Sequence, residues 1–248
     1  MSSNFSIPTE TVELPSKGLL YPESSPLASG SIEMKYMTAK EEDILTNQNY
    51  IQKGIVVDKL LESLIVTKVD YNDILIGDKD ALLIASRILG YGKDYEFTFA
   101  GEKIKVDLTT LPNIELDASL VEGRKNEFTY KLPYTDNTIT FKLLTQRDEK
   151  AIQKELDGLK KVAPNSSQEL STRMKYMITS INGSTERPVV REFVDKAFLA
   201  KDARAFREYY GKIVPGIDTT ISHEFGDGVE EDLTIPINAN FLWPDFGV

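Results

Sequence analysis

The sequence predicts an α+β fold in which helical blocks and antiparallel β-hairpins occupy separate stretches, preceded by an extended N-terminal arm. Three observations carry this expectation. The spacing of apolar residues switches from a helical to an alternating period at Tyr95, back near Thr145, and again past Pro215-Gly216. Capping signatures open the helical blocks, and glycines sit at the tips of the alternating ones. Residues 1–31 are rich in Ser, Pro, Thr and Gly, and Pro8, Pro15, Pro22 and Pro26 leave no run long enough for a regular element.

Four segments follow from this pattern: an arm over 1–31, helices with two hairpins over 32–144, a helical region over 145–212, and a hairpin with an aromatic tail over 213–248. A boundary near residue 144 and one interlocked domain both fit. In the second segment Thr38 and Glu41 form a capping box, and the helix they start is expected to run to about Tyr50. Leu60, Leu61, Leu64 and Ile65 stripe a second helix. Asp78 is placed to cap a third, which carries Leu82, Leu83, Ile84, Ile88 and Leu89 and stops at Gly90. That helix is apolar nearly all round, so it is expected to be buried.

Tyr95, Phe97 and Phe99 then alternate opposite Ile104, Val106 and Leu108 across Ala100-Gly101-Glu102, a hairpin pattern. A second hairpin sets Phe128, Tyr130 and Leu132 against Ile139, Phe141 and Leu143. In the third segment Thr145 and Asp148 cap a helix bearing Ile152, Leu156 and Leu159. After Pro164-Asn-Ser-Ser167 comes a helix with Leu170, Met174, Met177, Ile178 and Ile181. Pro188 suits the first turn of the next, and Asp202 is placed to cap a last one carrying Phe206, Tyr209 and Tyr210. In the final segment Ile217, Thr219 and Ile221 face Leu233, Ile235 and Ile237 across Gly226-Asp-Gly228.

Composition removes several classes of function. The 248 residues are 41% hydrophobic and 27% charged, ordinary for a soluble globular chain. No apolar run reaches the roughly 18 residues that a membrane span requires. Met1–Phe5 has neither a basic nor an apolar region of the export type, so no leader is expected. Cysteine is absent, which rules out disulfides, thiolate chemistry and cysteine-ligated metal. The net charge of −10 is uneven: residues 148–212 carry thirteen bases against ten acids, and residues 213–248 carry seven acids and no base. That distribution suits no phosphate backbone, so no nucleic acid is expected as partner. The acidic end reads as a solvated surface or as one that meets a basic partner.

The residues offer no catalytic set, no cofactor site and no metal site. His223 is the single histidine, on a predicted strand, and a triad or a zinc site needs more than it supplies. Gly90-Tyr-Gly92-Lys93 lacks the remaining positions of a phosphate loop and reads as a helix end. Asp70, Asp73, Asp78 and Asp80 lack the spacing of a calcium loop, and capping explains Asp78 at a value of about 1 kcal/mol. The two ends stand out instead. Leu14, Pro15, Lys17, Gly18 and Tyr21, and Phe241, Leu242, Trp243 and Pro244, combine apolar bulk with prolines and are candidate partner-binding residues. Such segments either fold back on their own chain or clip into a neighbour.

Several strings fall in a familiar order. They are Leu14-Pro-Ser-Lys-Gly-Leu-Leu-Tyr-Pro22, Met34-Lys-Tyr-Met-Thr38, Glu41-Glu-Asp-Ile-Leu45, Gly77-Asp78, Leu82-Leu83-Ile84 and Arg87-Ile88. After them come Tyr91-Gly92-Lys-Asp-Tyr-Glu-Phe97, Pro215-Gly-Ile-Asp218, Ile235-Pro-Ile237 and Phe241-Leu-Trp-Pro-Asp245. In these the chain resembles the baseplate protein family of T4-like contractile-tailed bacteriophages, described as baseplate hub or hub-assembly proteins. The resemblance spans nearly the whole chain. It implies a structural protein or assembly factor of the viral tail that acts by protein–protein interaction, with no bond chemistry. Its partners would be other baseplate or hub proteins, or the tape-measure protein. Its place would be the virion tail baseplate, or the host cytoplasm during tail assembly. The alternatives are a transient chaperone for hub or tape-measure proteins that leaves the mature virion, and a hydrolase using the acidic cluster or His223. Many relatives carry paired cysteines, like zinc knuckles, in the hairpins that here hold Ala100-Gly101-Glu102 and Gly226-Asp-Gly228. This chain has none, so these hairpins rely on packing and turn chemistry.

Overall fold

The computed structural model describes residues 6–163, 167–226 and 228–244. Strand β1 (Thr9–Glu13) pairs antiparallel with β2 (Ser31–Lys35), with Val12 opposite Ile32. The arm therefore holds an element that its composition hides. Thr-Glu-Thr-Val-Glu is too short and too polar to show a period, and β2 supplies the pairing that its amides need.

Helix α1 (Ala39–Leu45) begins as the capping box requires. The Glu41 carboxylate accepts the Thr38 N–H at 3.0 Å and the Thr38 hydroxyl at 2.6 Å. The helix does not continue to Tyr50. Asn47 turns its side-chain oxygen onto the amides of Asn49 and Tyr50 and starts a separate helix, α2 (Gln48–Gln52). Helix α3 (Val56–Leu64) buries Leu60, Leu61 and Leu64, while Ile65 lies beyond it and bridges to Met34 in β2. Helix α4 (Ile76–Tyr91) runs one residue past Gly90 and ends on Gly92, whose φ of 86° suits glycine. Gly90 is small for another reason: a Cβ there would lie 2.9 Å from the Met37 methyl.

The first hairpin is β3 (Asp94–Phe99) with β4 (Glu102–Asp107), in the expected register of Tyr95 with Val106 and Phe97 with Ile104. Ala100 and Gly101 both have positive φ, the two-residue turn that matches strand twist. A short strand β5 (Asn113–Ile114) waits for a partner about a hundred residues later. The second hairpin, β6 (Phe128–Lys131) with β7 (Thr138–Phe141), gains a third strand.

That strand corrects the expected helix through Ile181. After α5 (Gln146–Val162), helix α6 (Glu169–Met177) stops, and Ile178–Ile181 become β8 on the far edge of β7. Helix α7 (Arg187–Lys196) has Pro188 in its first turn, and α8 (Ala200–Ile213) follows. Asp202 does not cap α8, which has already begun. Its buried carboxylate accepts the Tyr134 N–H at 2.9 Å and the Thr135 hydroxyl at 2.7 Å, and so ties the β6–β7 turn to the helix.

Ile217 leaves the last hairpin and enters β9 (Gly216–Ile217), the partner of β5. The hairpin is β10 (Thr220–Glu224) with β11 (Glu230–Thr234), Ile221 opposite Leu233, and a four-residue helix α9 (Ala239–Leu242) follows. The Pro164–Ser167 break, Asp227 in the last turn, and the tail from Asp245 fall wholly or partly outside the described residues.

Antiparallel sheets of two or three strands and nine helices among the described residues make this an α+β fold. The buried apolar side chains form one cluster that draws on all four segments, from Leu14 to Leu242. Backbone bonds cross residue 144 in both directions: Ile76 N–H to Leu144 O at 3.0 Å, and Gln146 N–H to Ile74 O at 2.9 Å.

Glu41 yields a pH prediction. Burial pushes its carboxyl up, but Lys35, Thr38 and Ser63 hydrogen-bond the anion and outweigh that cost, holding it down at about 2. Because the folded value lies below the unfolded one, the stabilisation is present above about pH 4.5 and is lost as pH falls toward 2. It amounts to about 2–3 kcal/mol. Acid unfolding of Glu41→Gln, followed by circular dichroism, should lack this part of the acid limb while being less stable than the parent at neutral pH.

Candidate functional site

Helix α4 is the element on which both ends of the chain converge. Its polar first turn is made to receive the arm. After β1 the chain folds over Lys17-Gly18, both with positive φ. Gly18 is required twice, since a Cβ would also lie 2.6 Å from Ala28 O and 2.7 Å from Gly30 N. This turn delivers Ser16 and Tyr21 to one carboxylate. Asp78 accepts the Ser16 N–H at 2.9 Å, the Ser16 hydroxyl at 2.7 Å and the Tyr21 hydroxyl at 2.7 Å. The Tyr21 oxygen in turn accepts the Leu75 N–H at 2.9 Å.

Ser16 and Asp78 are wholly buried. Asp78 is thus no helix cap: α4 starts at Ile76, and the acid faces the arm instead of its own backbone. Burial pushes the Asp78 carboxyl up, opposed by its three donors, and pushes the Tyr21 phenol far up, with the adjacent carboxylate adding to it. The cost of burying the Asp78 charge is therefore greatest near neutral pH and is relieved as pH falls. On the arm's other side the Arg124 guanidinium donates to Gly18 O and Ala28 O, at 3.4 and 3.3 Å.

The same first turn meets a second segment. Gly77 lies so close to the 215–216 backbone that a Cβ would sit 1.7 Å from Pro215 O. At the other end of α4, Arg87 is buried and donates to Gly92 O at 2.9 Å and Asp94 O at 3.2 Å, with Tyr91 and Tyr95 flanking its charge. Tyr95 carries the tail. Its hydroxyl donates to Pro236 O at 3.1 Å, and its ring meets Phe241 edge-on at 4.9 Å. The Asn238 side chain accepts the Asn240 and Phe241 amides and starts α9. Phe241 and Leu242 are buried, and Trp243 lines a cavity of about 350 Å³ with Leu45, Val56, Leu83 and Leu242.

Of the expected partner-binding residues, Leu14, Pro15, Gly18, Tyr21, Phe241 and Leu242 are therefore committed within the chain. Their apolar surface is spent on its own core. Lys17, in an exposed ion pair with Glu115, and Pro244 face outward, and Trp243 is half-buried. The sole tryptophan reports this docking. Its emission in the isolated chain should lie to the blue of the urea-unfolded chain. Removing residues 240–248 should cost about 3 kcal/mol or more in urea denaturation, because Phe241 and Leu242 leave the core. An unchanged midpoint would show the tail to be idle.

The remaining candidates do not converge. Asp70 and Asp73 share Arg147 at the surface, 2.9 and 2.8 Å away, apart from the buried Asp78. Among the described residues no three His, Asp or Glu side chains are grouped to hold a metal ion. His223 Nε2 lies 3.6 Å from Glu102, and its ring meets Phe225 edge-on. Gly92 ends α4, and Lys93 pairs with Asp107 at 2.5 Å.

The two outer hairpins treat charge differently. On β3–β4, Lys103 pairs with Glu96 and Lys105 with Asp94. On β10–β11, Glu224 stands directly opposite Glu230, and Asp232 shares their exposed face. Like charges in that position are destabilising. Among the described residues no lysine or arginine answers them.

Sequence reasoning missed Gly77, Asp78 as anchor, Arg87, Arg124 and Asp202. One signal was present: an acid beside glycine in the first turn of an otherwise apolar helix has to be satisfied from outside that helix. Searches of family models, of curated proteins and of solved structures returned no match to this chain. Among the described residues no helix is long and apolar enough to cross a membrane.

Proposed function

We propose that the chain is a protein-interaction component of a contractile phage tail, a baseplate hub subunit or hub-assembly protein that carries out no bond chemistry. One observation supports this reading above the others. Strings that carry the family resemblance, far apart in sequence, touch in the fold. Leu14–Pro22 docks on Gly77-Asp78, Gly77 abuts Pro215, and Phe241 packs on Tyr95. A set of short matches that interlock around one helix behaves as the signature of one fold.

The outward surface suits the same reading. The unanswered acidic face of β10–β11 fits a basic partner surface, and its association would weaken as salt rises. The test is quantitative mass spectrometry of purified tails beside the infected-cell lysate. Recovery in tails in fixed ratio to the hub proteins is the expected result. Recovery only in lysate complexes with hub or tape-measure proteins would make the chain a transient chaperone. Recovery free of every tail protein in both samples would overturn the proposal.

A further inference from the structure

Asn182-Gly183 is the one Asn-Gly step in the sequence. It forms the two-residue turn after β8, with φ of 49° and 84°, and Ile181 and Ser184 exchange backbone hydrogen bonds across it at 3.0 and 2.9 Å. Both turn residues are exposed, and a Cβ on Gly183 would meet nothing. The Asn182 side chain is nevertheless held at both of its atoms. Its Oδ1 accepts the Thr138 N–H at 2.9 Å, and its Nδ2 donates to Asn137 Oδ1 at 2.8 Å. Its own N–H donates to Thr138 O at 2.8 Å. The side chain therefore clamps the β6–β7 turn to the end of β8.

An asparagine followed by glycine brings an amide carbon within reach of an unhindered backbone nitrogen, so ring closure is intramolecular. The Gly183 nitrogen attacks Asn182 Cγ. As the new N–Cγ bond forms, the Cγ–Nδ2 bond breaks, and the side-chain nitrogen leaves as ammonia with the proton from the Gly183 amide. Water then opens the five-membered imide at either carbonyl, giving aspartate or isoaspartate at 182. No oxidant or reductant is consumed.

In the folded turn this attack is blocked twice. The left-handed backbone is fixed by the cross-turn bonds, and Cγ is held toward Thr138 and Asn137 by its own oxygen and nitrogen. We propose that Asn182-Gly183 is a deamidation site latched by Asn137 and Thr138, so that conversion proceeds through molecules in which this turn has opened. The product would not relatch. A carboxylate has no proton to donate to Asn137 Oδ1, and isoaspartate adds a backbone atom to a two-residue turn. This inference is independent of the tail-assembly reading.

The experiment incubates the full-length protein in mildly alkaline buffer, with and without concentrated urea. Conversion at residue 182 is followed by peptide mass spectrometry, with aspartate and isoaspartate separated by chromatography. The unfolded chain should convert at least about tenfold faster than the folded one, since opening of a hydrogen-bonded turn precedes attack. Asn137→Ala, which removes one of the two side-chain bonds, should raise the folded rate about fivefold. Equal rates with and without urea would overturn the proposal, as would an unfolded chain that stays intact at Asn182. A folded Asn137→Ala chain converting at the parental rate would remove the latch. If that variant fails to fold, the parental comparison with and without urea still decides.

Discussion

Gly77→Ala should be among the most damaging single substitutions in the chain, costing at least about 3 kcal/mol and lowering Tm by roughly 6 °C or more. On propensity alone the change should help, since alanine is the better helix former by about 1 kcal/mol. Contact reverses the sign. The added methyl would sit 1.7 Å from Pro215 O, a backbone atom held by the β9–β5 pairing at Gly216 and unable to step aside as a side chain would. Either α4 or the 215–217 segment must move, and the loss spreads to the core on both sides. Gly158→Ala is the internal control. Gly158 lies within α5 with nothing near its missing Cβ, so the same substitution should stabilise by about 0.5–1 kcal/mol. Urea titrations of the two variants with opposite shifts in midpoint are the expected outcome. Two shifts of the same sign would mean that the close approach at Gly77 is relieved without cost.

Asp78→Ala should cost about 3–5 kcal/mol, several times the value of a helix cap. The substitution leaves the buried Ser16 amide, the Ser16 hydroxyl and the Tyr21 hydroxyl without an acceptor, and orphaned buried donors cost about 1–3 kcal/mol each. Asp78→Asn should be little better, because an amide nitrogen would then point at a donor. Tyr21→Phe removes one hydroxyl, and with it the acceptor of the Leu75 N–H, so it should cost less than Asp78→Ala. Limited proteolysis adds a readout that global stability does not provide. In Asp78→Ala the segment Leu14–Leu27 should be cut well before the core, as the arm lifts from α4. A variant that melts like the parent and resists cleavage there would show that Asp78 holds nothing.

These two residues mark where local sequence signals stop. The 95–108 hairpin was legible because Tyr95, Phe97, Ile104 and Val106 alternate with charges, and alternation needs no knowledge of a distant partner. The boxes at Thr38–Glu41 and Thr145–Asp148 were legible because both members lie within four residues. Strand β8 was not. Met174, Met177, Ile178 and Ile181 continue a helical stripe without a break, and only pairing with β7 draws Ile178–Ile181 out of it. Strand β1 was hidden by its polarity, and the split between α1 and α2 by an asparagine that reads equally well as helix surface. Asp78 and Asp202 are one error made twice. Each lies in the first turn of a helix, where an acid suggests a cap, and each serves a loop more than fifty residues away. The apolar ends were correctly singled out, but spacing alone does not reveal whether such a segment finds its pocket at home.

The convergence of both termini on α4 has a consequence for synthesis on the ribosome. The arm and α4 emerge early and can meet while the rest is still being made, because Ser16 and Asp78 are separated by a short stretch of chain. The other side of α4 must wait. Pro215 and Phe241 are among the last residues polymerised, and at typical elongation rates the interval between Gly77 and Pro215 is roughly 7 to 30 seconds. Throughout that interval an almost wholly apolar helix lacks part of its cover, exposed to whatever else is nearby. Truncated nascent chains should therefore be sticky and protease-sensitive, and the full contact set should form only after release from the ribosome. A protein closed by its own last residues tends to be assembled whole or not at all, which keeps unfinished copies out of any complex that it joins.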